Sequence, residues 1–163
     1  MAALEGRAGG FALEIVPECD STSSRLLETL PPDDGRIHVL AADRQTAGRG
    51  RRGRMWQSWP GAGLTFSALW RFAPSSLVPA GLSLVVGLAV ARTLEDLGVE
   101  GVQLKWPNDV LIHGKKIAGI LVELNSGRGR APAAVIGIGI NLNLPTGATV
   151  DYATGVTDLA SCL

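Results

Sequence analysis

Cysteine is almost absent from this 163-residue chain, with only Cys19 and Cys162. Two such residues cannot build the disulfide framework of a small secreted fold, so a reducing, cytoplasmic setting is expected. Histidine is as scarce, with His38 and His113 alone. No spacing of His, Cys and carboxylates resembles a zinc site. Net charge is missing as well. Fifteen Lys and Arg balance fifteen Asp and Glu, which argues against an extended basic face for nucleic acid. Long apolar runs are also lacking. The stretch 73–91 carries no charge, but Pro74, Ser75, Ser76 and Pro79 occupy its start. Its apolar part, 82–91, falls short of the roughly 20 residues of a membrane span. A buried helix is expected there and no membrane partner. Residues 1–10 lack the apolar run of a signal peptide and read as a loose tail.

What is present is a core-forming composition and one concentrated patch of charge. Apolar residues make up 46% of the chain, enough for a single domain over 11–163. Residues 43–56 read DRQTAGRGRRGRMW and hold Arg44, Arg49, Arg51, Arg52 and Arg54 among Gly48, Gly50 and Gly53. Glycine frees the backbone and lets N–H groups approach an anion. Arginine adds a permanent charge on a planar fork that fits carboxylate or phosphate. Such a loop should be mobile when empty and ordered by its ligand. The run 48–53 also spells G-x-G-x-x-G behind a predicted strand. The dinucleotide fingerprint needs a helix to open there, and the following residues read as a loop and a strand instead.

The remaining pattern predicts strands at 11–16, 37–42, 64–70, 102–106, 110–112, 115–123 and 134–141. His113-Gly114 reads as a hairpin turn, and 125–132 as a polar Gly/Arg turn. Helices are predicted at 25–30, behind the cap-rich Asp20-Ser21-Thr22-Ser23-Ser24, and at 76–98, ended by Gly98. One of the hydroxyls in 21–24 should cap the helix, which leaves others for a ligand. Gly137 and Gly139 inside a strand suggest the close approach of a ligand or backbone. The sum is an α+β fold with a mixed, largely antiparallel β-sheet and helices packed on one face. No terminal helix closes the chain.

Four groups are candidates for one site: the hydroxyls at 21–24, the Arg/Gly loop, Lys105-Trp106-Pro107-Asn108-Asp109, and Lys115-Lys116 with Gly119. Each has an ordinary alternative. Lysines at strand ends are mostly solvated, Asn108-Asp109 suits an Asx turn, and Trp56 and Trp59 suit a core. Together they offer excess positive charge, one carboxylate, an amide and aromatic walls. That inventory suits joining a carboxylate to ATP, with cations offsetting the repulsion between anions. Asp109 is a candidate Mg²⁺ ligand beside phosphates.

GRGRRG at 48–53, KWPND at 105–109, KIAGILVE at 116–123 and GIGIN at 137–141 together resemble the catalytic domain of biotin protein ligase. The resemblance runs from about Phe11 to Asn143. It implies the class II aminoacyl-tRNA synthetase/biotin synthetase-like fold and a two-step reaction. Biotin and MgATP would give biotinoyl-5′-AMP, and the biotinoyl group would pass to a lysine of a biotin carboxyl carrier protein. By the same resemblance Ser21, Thr22, Ser23 and Gln45 would read the ureido head of biotin. Arg49, Gly50, Arg51, Lys116 and Gly119 would complete the biotin site. Arg49, Arg51, Arg52, Trp56, Lys105, Asn108 and Asn141 would hold ATP or the adenylate. Arg51, Lys116 and Asp109 would be catalytic.

Two departures stand out. The family often has Asn where this chain has Ser23, and it normally continues into further catalytic-domain segments and a small β-barrel. The chain thus reads as C-terminally shortened, with an exposed sheet edge that invites a homodimer. No helix-turn-helix precedes Phe11, so no DNA role is expected. The alternatives are a lipoate or octanoyl ligase, an Arg-loop nucleic-acid binder, or a truncated, non-catalytic binding module. Polar readers at 21, 22 and 45 argue against a fatty-acyl site.

Overall fold

The computed structural model describes residues 10–125 and 132–163. The loose tail and the Gly/Arg turn expected at 1–10 and 125–132 fall almost wholly outside them. In chain order the elements are β1 (Phe11–Cys19), α1 (Thr22–Thr29), β2 (Ile37–Gln45), β3 (Gly63–Arg71), α2 (Leu82–Asp96), β4 (Val102–Lys105), β5 (Asp109–Ile112), β6 (Lys115–Asn125) and β7 (Ala133–Asn141). The strands form one sheet in the order β1-β2-β3-β7-β6-β5-β4. Only β1 and β2 run parallel. This is the expected mixed, largely antiparallel architecture. Pro17 has no N–H for a ladder, and it sits in β1, an edge strand, where that is tolerated.

The helices do not share a face. In β7, Ala134 and Ile136 join the core with Val90, Ala91 and Leu94 of α2. Their neighbours Ala133 and Val135 pack with Leu26 of α1. Alternate side chains of a strand point to opposite faces, so α1 and α2 cover opposite sides. The expectation of both on one face is corrected, and the reason lies in β7 itself. Its run AAVIGIGIN is apolar at nearly every position, and a strand of that kind needs cover on both faces.

Helix α2 begins at Leu82, six residues after the expected start at Ser76. Pro79 disfavours helical geometry at Val78, and Gly81 at the cap offers no side chain to the exposed N–H groups. Gly98 stops the helix with φ 89° as expected. Helix α1 begins earlier than expected because Ser21 is its N-cap, which puts Thr22, Ser23 and Ser24 in its first turn. The Arg/Gly loop makes one 3-10 turn, Arg51–Gly53, and leads to β3. No helix opens there, so the dinucleotide reading is excluded. Among the described residues no helix is long and apolar enough to cross a membrane.

Candidate active site

The site lies on the α1 face of the sheet and begins with a buried polar nest. Ser21, Thr22 and Ser23 of the α1 cap and first turn meet Gln45 at the end of β2 and Ser67 of β3. Each is no more than 7% exposed. Gln45 Oε1 accepts from Thr22 N at 2.7 Å and from Thr22 Oγ1 at 3.0 Å. Ser67 Oγ lies 2.7 Å from Thr22 Oγ1 and 2.9 Å from Ser23 Oγ. Ser21 Oγ accepts from Ser24 N at 3.4 Å and is the cap. Buried polar groups are costly unless hydrogen-bonded, and these satisfy one another. Gly137 makes the room: a Cβ there would sit 2.6 Å from Ser23 Oγ.

Beside the nest, Gly119 of β6 and Gly139 of β7 are register partners and form a bare floor. The indole of Trp56 lies across both. A Cβ on Gly119 would be 3.1 Å from the indole, and one on Gly139 would overlap it. Trp56 N donates to Gly48 O at 2.9 Å. The cavity next to it, lined in part by Ser58, Thr65 and Asn141, holds about 10 Å³. The indole therefore fills the slot.

The Arg/Gly loop is tied across this floor. Gly50 N donates to Arg54 O at 2.8 Å. Arg49 donates to Glu123 of β6 at 2.5 Å and to Ser24 of α1 at 3.3 Å. Arg51 donates to Asn108 Oδ1 at 3.3 Å, and Asn108 in turn donates to Ile120 O at 2.9 Å. Arg52 is exposed, at φ 57°, and makes no ion pair among the described residues.

The far corner is cationic. Lys116 Nζ stands 2.7 Å from Asp109 Oδ1 as an ion pair, at an angle outside hydrogen-bond geometry. Tyr152 donates its hydroxyl to Asp109 Oδ2 at 2.8 Å and accepts from Lys105 Nζ at 3.0 Å. Lys116 Nζ also lies 5.0 Å from the Tyr152 ring centroid and 5.7 Å from that of Trp56, within cation–π reach. The bond to Tyr152 pushes the Lys105 ammonium pKa up. Burial pushes the Tyr152 phenol up, against the pull of Lys105. Tyr152 arrives from the C-terminal segment. Asn141 Nδ2 donates to Thr157 O at 2.9 Å, and Val156 bridges Lys116, which together dock that segment beside β6.

The structure thus gathers Ser21, Thr22, Ser23 and Gln45 in one nest, and Lys105, Asp109, Lys116, Gly119 and Trp56 in one corner. Arg49, Gly50, Arg51 and Asn108 bridge the two. It leaves the Arg52 side chain exposed and outside the site, whereas Asn141 lines the small cavity beside Trp56 with its amide nitrogen directed to backbone carbonyls. Sequence reasoning missed Ser67, Glu123 and Tyr152. Ser67 left a signal, because Thr65 and Ser67 alternate within the otherwise apolar run 64–70 of β3. Tyr152 left none beyond being the single tyrosine. Among the described residues no three His, Cys, Asp or Glu cluster to hold a metal. Asp109, the candidate carboxylate for Mg²⁺, stands paired with Lys116.

Comparison with known proteins accords with this geometry. The sequence profile of the Biotin/lipoate A/B protein ligase family matches residues 18–141. The bifunctional ligase/repressor BirA of Escherichia coli is 44% identical over 140 residues, which are 84% of this chain and 42% of that protein. The biotin–[acetyl-CoA-carboxylase] ligase of Paracoccus denitrificans is 40% identical over 125 residues, 76% of this chain and 51% of that one. A structure of biotin protein ligase from Aquifex aeolicus in complex with biotin and ATP superposes with TM-score 0.74 at 38% identity, covering 91% of this chain and 60% of that one. The chain spans about half the length of these relatives. Matched over most of its residues in sequence and in fold, it belongs to the biotin/lipoate A/B protein ligase family.

Proposed function

We propose that this chain carries the biotin-activating site of an ATP-dependent biotin protein ligase. The observation that supports it best is the adjacency of two unlike subsites on one sheet face. A buried neutral nest, Thr22, Ser23, Gln45 and Ser67, adjoins a glycine floor that leads to the Lys116–Asp109 corner. A ureido head is neutral and polar, and fixed neutral donors and acceptors suit it. The biotin tail would follow the floor of Gly119 and Gly139, and its carboxylate would end near Lys116.

In the first step a biotin carboxylate oxygen attacks the α-phosphorus of ATP. The bond to the leaving pyrophosphate breaks, and biotinoyl-5′-AMP forms. Lys116 and Arg51 offset the negative charge gathered there, a role for fixed cations that acts mainly on the transition state. In the second step the amine of an acceptor lysine on a biotin carboxyl carrier protein attacks the acyl carbon and releases AMP. Magnesium enters as part of the MgATP substrate, with Asp109 as the protein carboxylate nearest to hand. A mixed anhydride is lost to water unless covered, and the Arg49–Glu123 and Arg51–Asn108 contacts suit a lid. Opening of that lid and displacement of Trp56 would admit the ligand.

The test is calorimetric titration with biotin, followed by pyrophosphate release with biotin and MgATP and label transfer to an acceptor carrier domain. Lys116→Ala should abolish pyrophosphate release, and Arg51→Ala should let free adenylate escape. No heat with biotin, or unchanged kinetics in both variants, would refute the assignment. Lipoate should fail to displace biotin, because its apolar ring leaves the nest without partners.

A further inference from the structure

We propose that Tyr152 is a positioning residue of this site, whose hydroxyl sets the orientation of the Asp109 carboxylate and, through it, the place of the Lys116 ammonium. The two contacts on Asp109 differ in kind. The Lys116 contact at 2.7 Å is a charge contact without hydrogen-bond direction. The Tyr152 contact at 2.8 Å is, among the described residues, the directed hydrogen bond to this carboxylate. A carboxylate turns about its terminal bond with little resistance, so the directed donor decides where its oxygens lie. Lysine is a point charge on a flexible stem with three rotatable donors. Its ammonium is placed by what it meets, here Asp109 Oδ1 and the faces of Tyr152 and Trp56.

Tyr152 is itself held from behind. Lys105 Nζ donates to its oxygen at 3.0 Å, which leaves the phenolic proton for Asp109. A donor that is also an acceptor polarises along such a chain, so each bond strengthens the next. The order Lys105, Tyr152, Asp109, Lys116 therefore links two cations of the corner through one hydroxyl. The backbone beneath is fixed separately by the Val156–Lys116 bridge and by Asn141 to Thr157. A tyrosine serving only as filler needs no such chain, and phenylalanine would replace it.

The consequence for ATP rests on the ligase reading above, and the experiment separates the two. Tyr152→Phe keeps the ring and removes only the hydroxyl. In the free protein labelled with [¹³Cε]lysine, this change should move the Lys116 resonance, identified by its loss in Lys116→Arg. In an Asp109→Asn background the same change should leave that resonance where it is. With biotin and MgATP, Tyr152→Phe should raise KM for ATP by about tenfold, the scale of one lost hydrogen bond to a charged group. Biotin affinity should stay within about twofold, because the nest is untouched. The double variant should match Asp109→Asn alone. A Lys116 resonance unmoved by Tyr152→Phe, or additive effects in the double variant, would overturn the proposal. Absence of pyrophosphate release from the unmutated protein would refute the ligase reading, while the lysine spectra would still decide this one.

Discussion

At the scale of single residues, two glycines of β7 divide the site. A methyl on Gly137 would collide with Ser23 Oγ, and one on Gly139 would collide with Trp56. Both are overpacking changes that cost about 1–3 kcal/mol, yet their readouts should differ. Gly139→Ala should drive the indole from its slot. Its emission, taken as the difference from a Trp56→Phe protein, should shift to the red and quench more readily in acrylamide. Gly137→Ala should leave that emission unchanged and instead break the Ser23–Ser67 contact. On the proposed ligase reading, its affinity for biotin, measured by calorimetric titration, should then fall by about tenfold or more. Identical responses in the two variants would mean that the nest and the slot are not separate subsites. Both glycines were legible in the sequence as positions of close approach. What approaches them was not, since Trp56 and Ser23 lie far away in the chain.

At the scale of elements, backbone hydrogen bonds close the Arg/Gly loop on itself, and arginine side chains tie it to the rest of the fold. Arg49 joins β6 to α1 through Glu123 and Ser24. The Arg49 and Glu123 side chains are 44% and 21% exposed, so solvent screens the pair, and its loss should cost less than about 1 kcal/mol of global stability. Its effect on the loop should be larger, because residues 48–55 hold no apolar side chain but the exposed Met55. Glu123→Gln should therefore leave the thermal midpoint within about 3 °C and raise amide exchange over 48–56 severalfold. Unchanged exchange there would show that the loop is closed by something else. The strands were readable because period-two alternation and glycine turns act locally. The placement of the helices was not, because cover on both faces of β7 is a tertiary demand. The start of α2 was misjudged for a related reason: an uncharged run resembles helix until Pro79 and Gly81 are given their weight. Tyr152 could not be found at all, since its partners are set by how the C-terminal segment docks.

At the scale of the whole molecule, one buried carboxylate adds to the backbone contacts that dock that segment. Asp158 is 8% exposed. Burial raises its pKa, but hydrogen bonds from Ser161 and from the N–H of Leu144 outweigh it and hold the carboxyl below its ordinary value. Asp158 Oδ2 accepts from Leu144 N at 2.9 Å and Oδ1 from Ser161 N at 2.8 Å. The carboxylate therefore joins the exit of β7 to the end of the chain, and the tyrosine lies between them. A group whose pKa is lower folded than unfolded contributes stability in full above its unfolded value, about 3.9 for Asp. That contribution is lost as pH falls through the folded value. Asp158→Asn should lower the thermal midpoint at pH 7, and the gap to the unmutated protein should narrow as pH drops below about 4. Melts followed by circular dichroism across that range check the sign. Because the same segment delivers Tyr152, Asp158→Asn should also shift the Lys116 resonance at neutral pH. A midpoint gap that is constant with pH would mean that the carboxylate charge plays no part in docking the segment.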